Sequence, residues 1–180
     1  MSEAWYADGL RFSCTQCGNC CKNHGDYAFV NLSPRDLQEI PRFLGISVEQ
    51  FLARYATKEP GHHPTLRMDE PQCPFLDANS RCTIYAVRPM QCRTWPFWRS
   101  NLEQETWEGA VKSRCPGVGH GELHSQERID ALAHATESEF TVPGTHPATL
   151  PRASPAWPAV PRKDGGMRAR HRTSVHFHSS

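Results

Sequence analysis

The chain has 180 residues, of which 38% are hydrophobic and 27 are Gly (12) or Pro (15). Such a composition excludes a large apolar core and favours a small, loop-rich fold that draws stability from another source. A net charge of +1 excludes a globally basic polyanion binder, yet residues 1–140 hold 14 Lys+Arg against 18 Asp+Glu (net −4) and residues 141–180 hold six against Asp164 alone (net +5).

The opening residues MSEAWYADGL carry an early acid and no apolar run, so no secretory signal is expected. No later stretch is long enough for a membrane span. Phe12–Lys22 (FSCTQCGNCCK) is a tight cysteine turn segment. Tyr27–Leu32 reads as a short strand, being aromatic and β-branched. Ser33-Pro34 then opens a helix carrying Leu37, Ile40 and Leu44 at helical spacing, with Gly45 placed to end it and Pro41 to distort it. Ser47 and Gln50 make a capping box for a second helix running to about Ala56, with Val48, Phe51, Leu52 and Tyr55 as its buried stripe.

Residues 57–72 form an exposed connection with a short strand at Thr65–Met68. Pro89 starts a short helix that ends at Cys92, and Trp95, Pro96, Phe97 and Trp98 supply an apolar wall beside it. Thr106–Ser113 alternates as a strand does. A helix of about four turns follows from Ser125 to Phe140, with Ile129, Leu132 and Ala133 inward. Residues 142–180, with six prolines, four histidines and scattered Arg, are expected to be disordered, leaving 1–141 as the folded domain. The fold class expected is therefore α+β: a small, metal-stapled, loop-rich domain with a few short helices and strands.

Cys14, Cys17, Cys20 and Cys21 form a C-x-x-C-x-x-C-C run, and Cys73, Cys82, Cys92 and Cys115 follow. In a reducing cytoplasm, the expected location, cysteines so grouped serve as metal ligands or redox groups, with disulfides the competing use. Two cysteines separated by two residues aim both sulfurs at one ion, as in zinc knuckles and iron–sulfur loops. Neighbouring side chains in extended chain diverge, so Cys20 and Cys21 are expected to serve different metals, or different irons of one cluster. The run starts like a bacterial ferredoxin loop, but Cys21 follows at once instead of three residues later, which rejects that fold. Lys22, Arg81, Arg93 and Arg114 each adjoin a cysteine and are suited to offset thiolate charge.

Phe12–Cys21 (FSCTQCGNCC), Cys73–Leu76 (CPFL), Cys82–Tyr85 (CTIY), Arg88–Phe97 (RPMQCRTWPF) and Cys115–Gly121 (CPGVGHG) together resemble the YkgJ-type cysteine-cluster family, over about residues 10–121. The resemblance implies zinc or iron chelation by all eight cysteines: Cys14, Cys17, Cys20, Cys21, Cys73, Cys82, Cys92 and Cys115. Family members are labelled variously as iron–sulfur oxidoreductases or as related to flagellin lysine methylases.

The expected function is thus metal binding, as an iron–sulfur cluster of the 4Fe–4S kind, zinc, or both, with redox activity as the further reading. The alternatives are a zinc-stapled interaction module and a component of protein lysine methylation, each needing an unidentified protein partner or substrate. No glycine-rich phosphate loop, His-Glu-x-x-His or nucleophile elbow is present, and the acidic body speaks against nucleic acid. His24, Asp26, His62 and His63 are the remaining candidates for acid, base or open-site ligand, each more simply a surface residue.

Overall fold

In the computed structural model of the chain, which describes residues 4–22, 29–58, 60–68 and 72–140, an early strand and a late one are tied together. β1 (Leu10–Phe12) pairs antiparallel with β4 (Val118–His124), setting Leu10 opposite His124 and Phe12 opposite Val118 across a bulge between Arg11 and Phe12. Neither strand was evident from composition. β1 is three residues long, and β4 reads VGHGELH, with two glycines and little apolar alternation.

The second pairing joins β2 (Ala56–Thr57) to β3 (Thr65–Leu66). The strand expected over 27–32 contracts, in its described part, to an isolated bridge between Asn31 and Thr65; residues 27 and 28 lie outside the described residues. Leu32 N–H donates to Pro64 O (2.8 Å) and Leu66 N–H to Val30 O (2.9 Å), so that segment still runs along β3.

α1 (Asp36–Leu44) and α2 (Val48–Tyr55) follow their local signals closely. Ser33 caps the turn entering α1: its Oγ accepts from Asp36 N–H (3.1 Å), and its own N–H donates to Asp36 Oδ2 (3.0 Å). Pro41 lies inside α1 without breaking it and is buried, and the helix closes at Gly45. The Ser47–Gln50 capping box forms as expected. Phe51 is buried and Leu52 and Tyr55 partly so, but Val48 is 37% exposed and leaves the expected stripe. It occupies the first position of α2, at the free end of the turn.

α3 is Met90–Thr94, with Pro89 just ahead of it, so Cys92 sits in its middle instead of at its end. The strand expected over Thr106–Ser113 is helical. Residues 104–114 form α4, which opens with Gln104–Thr106, widens into a π-type turn at Trp107–Val111 and closes with Lys112–Arg114. Trp107 and Val111, 3% and 2% exposed, are four residues apart, a spacing that fits one helical face as well as one strand face. Trp107 stacks on Phe97 there, while β4 takes the place beside β1. α5 (Gln126–Phe140) matches the expected helix, with Ile129 and Ala133 buried and Leu132 partly so. The tail and its boundary near 141 fall outside the described residues. No helix among the described residues is long and apolar enough to cross a membrane.

Two small cores result. Phe12, Phe97, Leu102, Trp107, Val111, Val118, Ile129 and Ala133 pack with Tyr6 in one; Leu32, Ile40, Phe51, Ala56, Leu66, Phe75 and Ile84 form the other. Trp95 and Cys115 border the first, and Cys73 and Cys82 border the second.

Gly117 makes one close approach possible. Ser13 N–H donates to Gly117 O (3.3 Å), and a Cβ on Gly117 would collide with the Ser13 carbonyl oxygen. Gly117→Ala is therefore expected to cost about 1–3 kcal/mol by overpacking. Denaturant unfolding of the two proteins side by side measures it.

Candidate metal centre

Gly18, at φ 72°, turns the chain into a single 3₁₀ turn over Asn19–Cys21. That turn removes the alternation expected of extended chain, and Cys20 and Cys21 do not diverge. Their Sγ atoms lie 3.9 Å apart. Tetrahedral thiolate ligands at a metal–sulfur distance of about 2.3 Å stand about 3.8 Å from one another, so the pair is spaced for a shared metal.

The other cysteine segments are laced to this run through the backbone. Cys73 N–H donates to Cys21 O (2.6 Å), and Lys22 bridges Gln72. Asn19 Nδ2 donates to Arg114 O (2.9 Å), which brings the residue before Cys115 alongside. Cys73 and Cys82 flank a hairpin-like loop held by the Leu76–Cys82 bridge and by Asp77, whose Oδ1 accepts from Asn79 and Arg81 N–H (2.9 and 2.8 Å). Cys92 rides on α3, which is fixed from both sides. Gln91 Oε1 accepts from Asn31 N–H (2.9 Å), and the buried Asp36 carboxylate accepts from Met90 N–H (3.1 and 3.2 Å).

All eight cysteines line one cavity of about 140 Å³. Apolar walls come from both cores, through Phe12, Phe75, Ile84 and Trp95, and from Trp98. Lys22, Arg88, Arg93 and Arg114 also line it, and no Asp, Glu or His among the described residues does. Three of the four cations flagged by adjacency are there; Arg81 is not. Arg88 was missed because it adjoins no cysteine in sequence. It lies 4.0 Å over the Tyr85 ring and donates from Nη1 to Tyr85 O (2.9 Å), which holds its charge near Cys20, Cys82 and Cys92.

By accessible surface Cys14 and Cys20 are exposed and the other six partly buried, since the cavity is open space before them. The surrounding protein still disfavours thiolates. Burial pushes the Cys73 thiol up to about 11 and raises Cys82 and Cys115, and it raises Cys92 well above the ordinary value. Cys20 is raised by its hydrogen bond with Cys21 first and by burial second. Opposing this, the amide N–H two residues on acts on three sulfurs: Phe75 on Cys73, Ile84 on Cys82 and Gly117 on Cys115. Amides so placed favour a charged sulfur and suit a thiolate ligand.

Among the described residues no three His, Cys, Asp or Glu side chains are set as a finished ion cage. The donor set nonetheless fits zinc or iron: sulfur throughout, amide donors behind it, cations around it. His62 is exposed; His63 packs edge-on against Phe140 (5.5 Å), and neither lines the cavity. His24 and Asp26 lie outside the described residues.

The model of the CxxCxxCC family, "putative zinc- or iron-chelating domain", matches residues 13–116, more than half of the chain. An uncharacterized protein of Methanocaldococcus jannaschii, MJ0661, is 32% identical over 93 residues, which is 51% of this chain and 48% of that protein. The chain thus matches about half the length of that relative. No solved structure matches it.

Proposed function

This chain belongs to the CxxCxxCC family of zinc- or iron-chelating domains, and from that premise we propose that its eight cysteines are ligands of one polynuclear metal–thiolate centre. One observation carries the reading: all eight cysteines line a single cavity. Four thiolates complete a tetrahedral ion, so eight call for more than one metal, whether as two ions or as an iron–sulfur cluster with a further site. Two four-thiolate zinc sites, or a cluster beside one, carry net negative charge, which the four lining cations offset. An all-sulfur donor set selects zinc or iron–sulfur chemistry over harder cations.

The centre would also be structural, since it lies where two small cores meet. A redox role follows if the metal is an iron–sulfur cluster. Zinc alone leaves the staple, and the interaction module becomes the better reading. Anaerobic purification with iron, sulfide and zinc analysis decides between them. Iron with sulfide in stoichiometric amount and a broad thiolate-to-iron absorption supports the redox reading. Fewer than two metal ions per chain in total defeats the whole proposal.

Loading is expected to release protons. The thiols of Cys20, Cys73, Cys82, Cys92 and Cys115 are all raised, so at neutral pH they hold protons that ligation must displace. Metal affinity therefore rises with pH and falls as pH is lowered. Zinc titration in weak buffer with a pH indicator measures both the protons and the slope.

A further inference from the structure

Among the described residues, one buried side-chain nitrogen or oxygen makes no hydrogen bond of ordinary geometry: Nε1 of Trp95. The two neighbouring cases differ. Trp5 Nε1 donates to Leu102 O (2.8 Å), and Trp98 Nε1 donates to Gln91 O and Thr94 Oγ1 (3.1 Å each). Trp95 is packed edge-on against Trp98 (4.9 Å between ring centres, 80° between planes), so its ring is held in place. It lines the cavity, as does Cys115, and both border the same core.

A buried donor left with no better acceptor than a neutral thiol is poorly satisfied, and such a donor is rarely retained without a role. An indole N–H is a donor only, so what it lacks is a lone pair. A metal-bound thiolate presents such lone pairs together with negative charge. The N–H already acts on the Cys115 sulfur in the sense that favours its charged form, alongside the Gly117 amide.

We propose that Trp95 is a positioning residue of the metal centre, its indole N–H donating a hydrogen bond to the Cys115 sulfur when that sulfur is a metal-bound thiolate. The proposal rests on Cys115 being a ligand. The bond orients the thiolate, withdraws electron density from it and gives the poorly satisfied donor a full acceptor. Trp95 then acts in two opposite senses: it burdens the metal-free form and supports the loaded one.

Cobalt(II) alone is the probe, added to the full chain and read by its thiolate-to-cobalt charge-transfer absorption. Trp95→Phe keeps an aromatic ring and removes the donor. It is expected to move the band to longer wavelength and to weaken cobalt(II) binding about ten- to a hundredfold. Trp5→Phe loses an N–H that serves Leu102 O away from the cavity and is expected to leave the band in place. Band and affinity unchanged in Trp95→Phe overturn the proposal. Absence of a thiolate–cobalt band in the unaltered chain overturns the premise instead. A second measurement needs no variant: on zinc loading of the unaltered chain, one indole N–H proton resonance should move downfield. If zinc binds and none moves, the proposal fails even where Trp95→Phe does not fold.

Discussion

Cys92→Ser is expected to leave the protein with less than half its metal after gel filtration and to remove most of the stability that metal supplies. Cys92 is placed by α3, whose first turn is held by Asp36 at Met90 and by Gln91 against the 29–31 segment. Its sulfur therefore has little freedom to be replaced by a neighbour. Serine offers a harder, more basic oxygen in a pocket where burial already disfavours charge. Structural zinc contributes on the order of 10 kcal/mol or more to small metal-stapled domains. Neither core is large enough to make that up, so the melting transition of the variant should broaden and fall steeply. Elemental analysis and a thermal scan on one preparation measure both. Full metal content with an unaltered transition would remove Cys92 from the ligand set.

The second large effect is expected at Asp36, whose side chain is 0% exposed. Its carboxylate accepts from Ser33 N–H, from Met90 N–H and, at 3.5 Å, from Arg93 Nη2, so it ties the start of α1 to the start of α3. Asp36→Ala orphans the buried Ser33 amide and the partly buried Met90 amide and should destabilise the protein by about 3–5 kcal/mol, the range for breaking a buried charged network. The Arg93 contribution is the smaller one, because that side chain is 31% exposed and also reaches Glu39 at 3.8 Å. Asp36→Asn keeps one acceptor oxygen and should cost less than half as much. Urea unfolding of the metal-loaded proteins provides the comparison. A cost below about 1 kcal/mol for the alanine variant would show that Asp36 is not what holds α3 in the loaded protein.

Local chemistry was legible where a few adjacent residues decide the outcome. Ser47 and Gln50 form their capping box, and Gly45 ends α1. The cysteine spacing pointed to one metal-binding function, and the cavity brings all eight together. What failed depended on three-dimensional geometry, near or far, that composition and spacing do not carry. Thr106–Ser113 has a periodicity that suits either face pattern, and only the arrival of β4 beside β1 decides against a strand. Cys20 and Cys21 diverge in extended chain but not in the 3₁₀ turn set up by Gly18. Arg88 reaches the thiols through its stacking on Tyr85, a contact that adjacency to cysteine could not reveal.

The joining of β1 to β4 has a consequence for how the protein is made. Residues 10–12 and the cysteine run leave the ribosome early, whereas Cys115 and the strand that seats it come 94 residues after Cys21. At translation rates of about 5–20 residues per second, the first four thiols stand without their last partner for roughly 5–20 s. During that interval any metal they capture is held by an incomplete site, and any oxidant meets free thiols. With the ligand set proposed above, assembly of a correct centre would favour metal delivery after synthesis over capture by the growing chain. Chains arrested before residue 118 should accordingly bind metal loosely and exchange it freely.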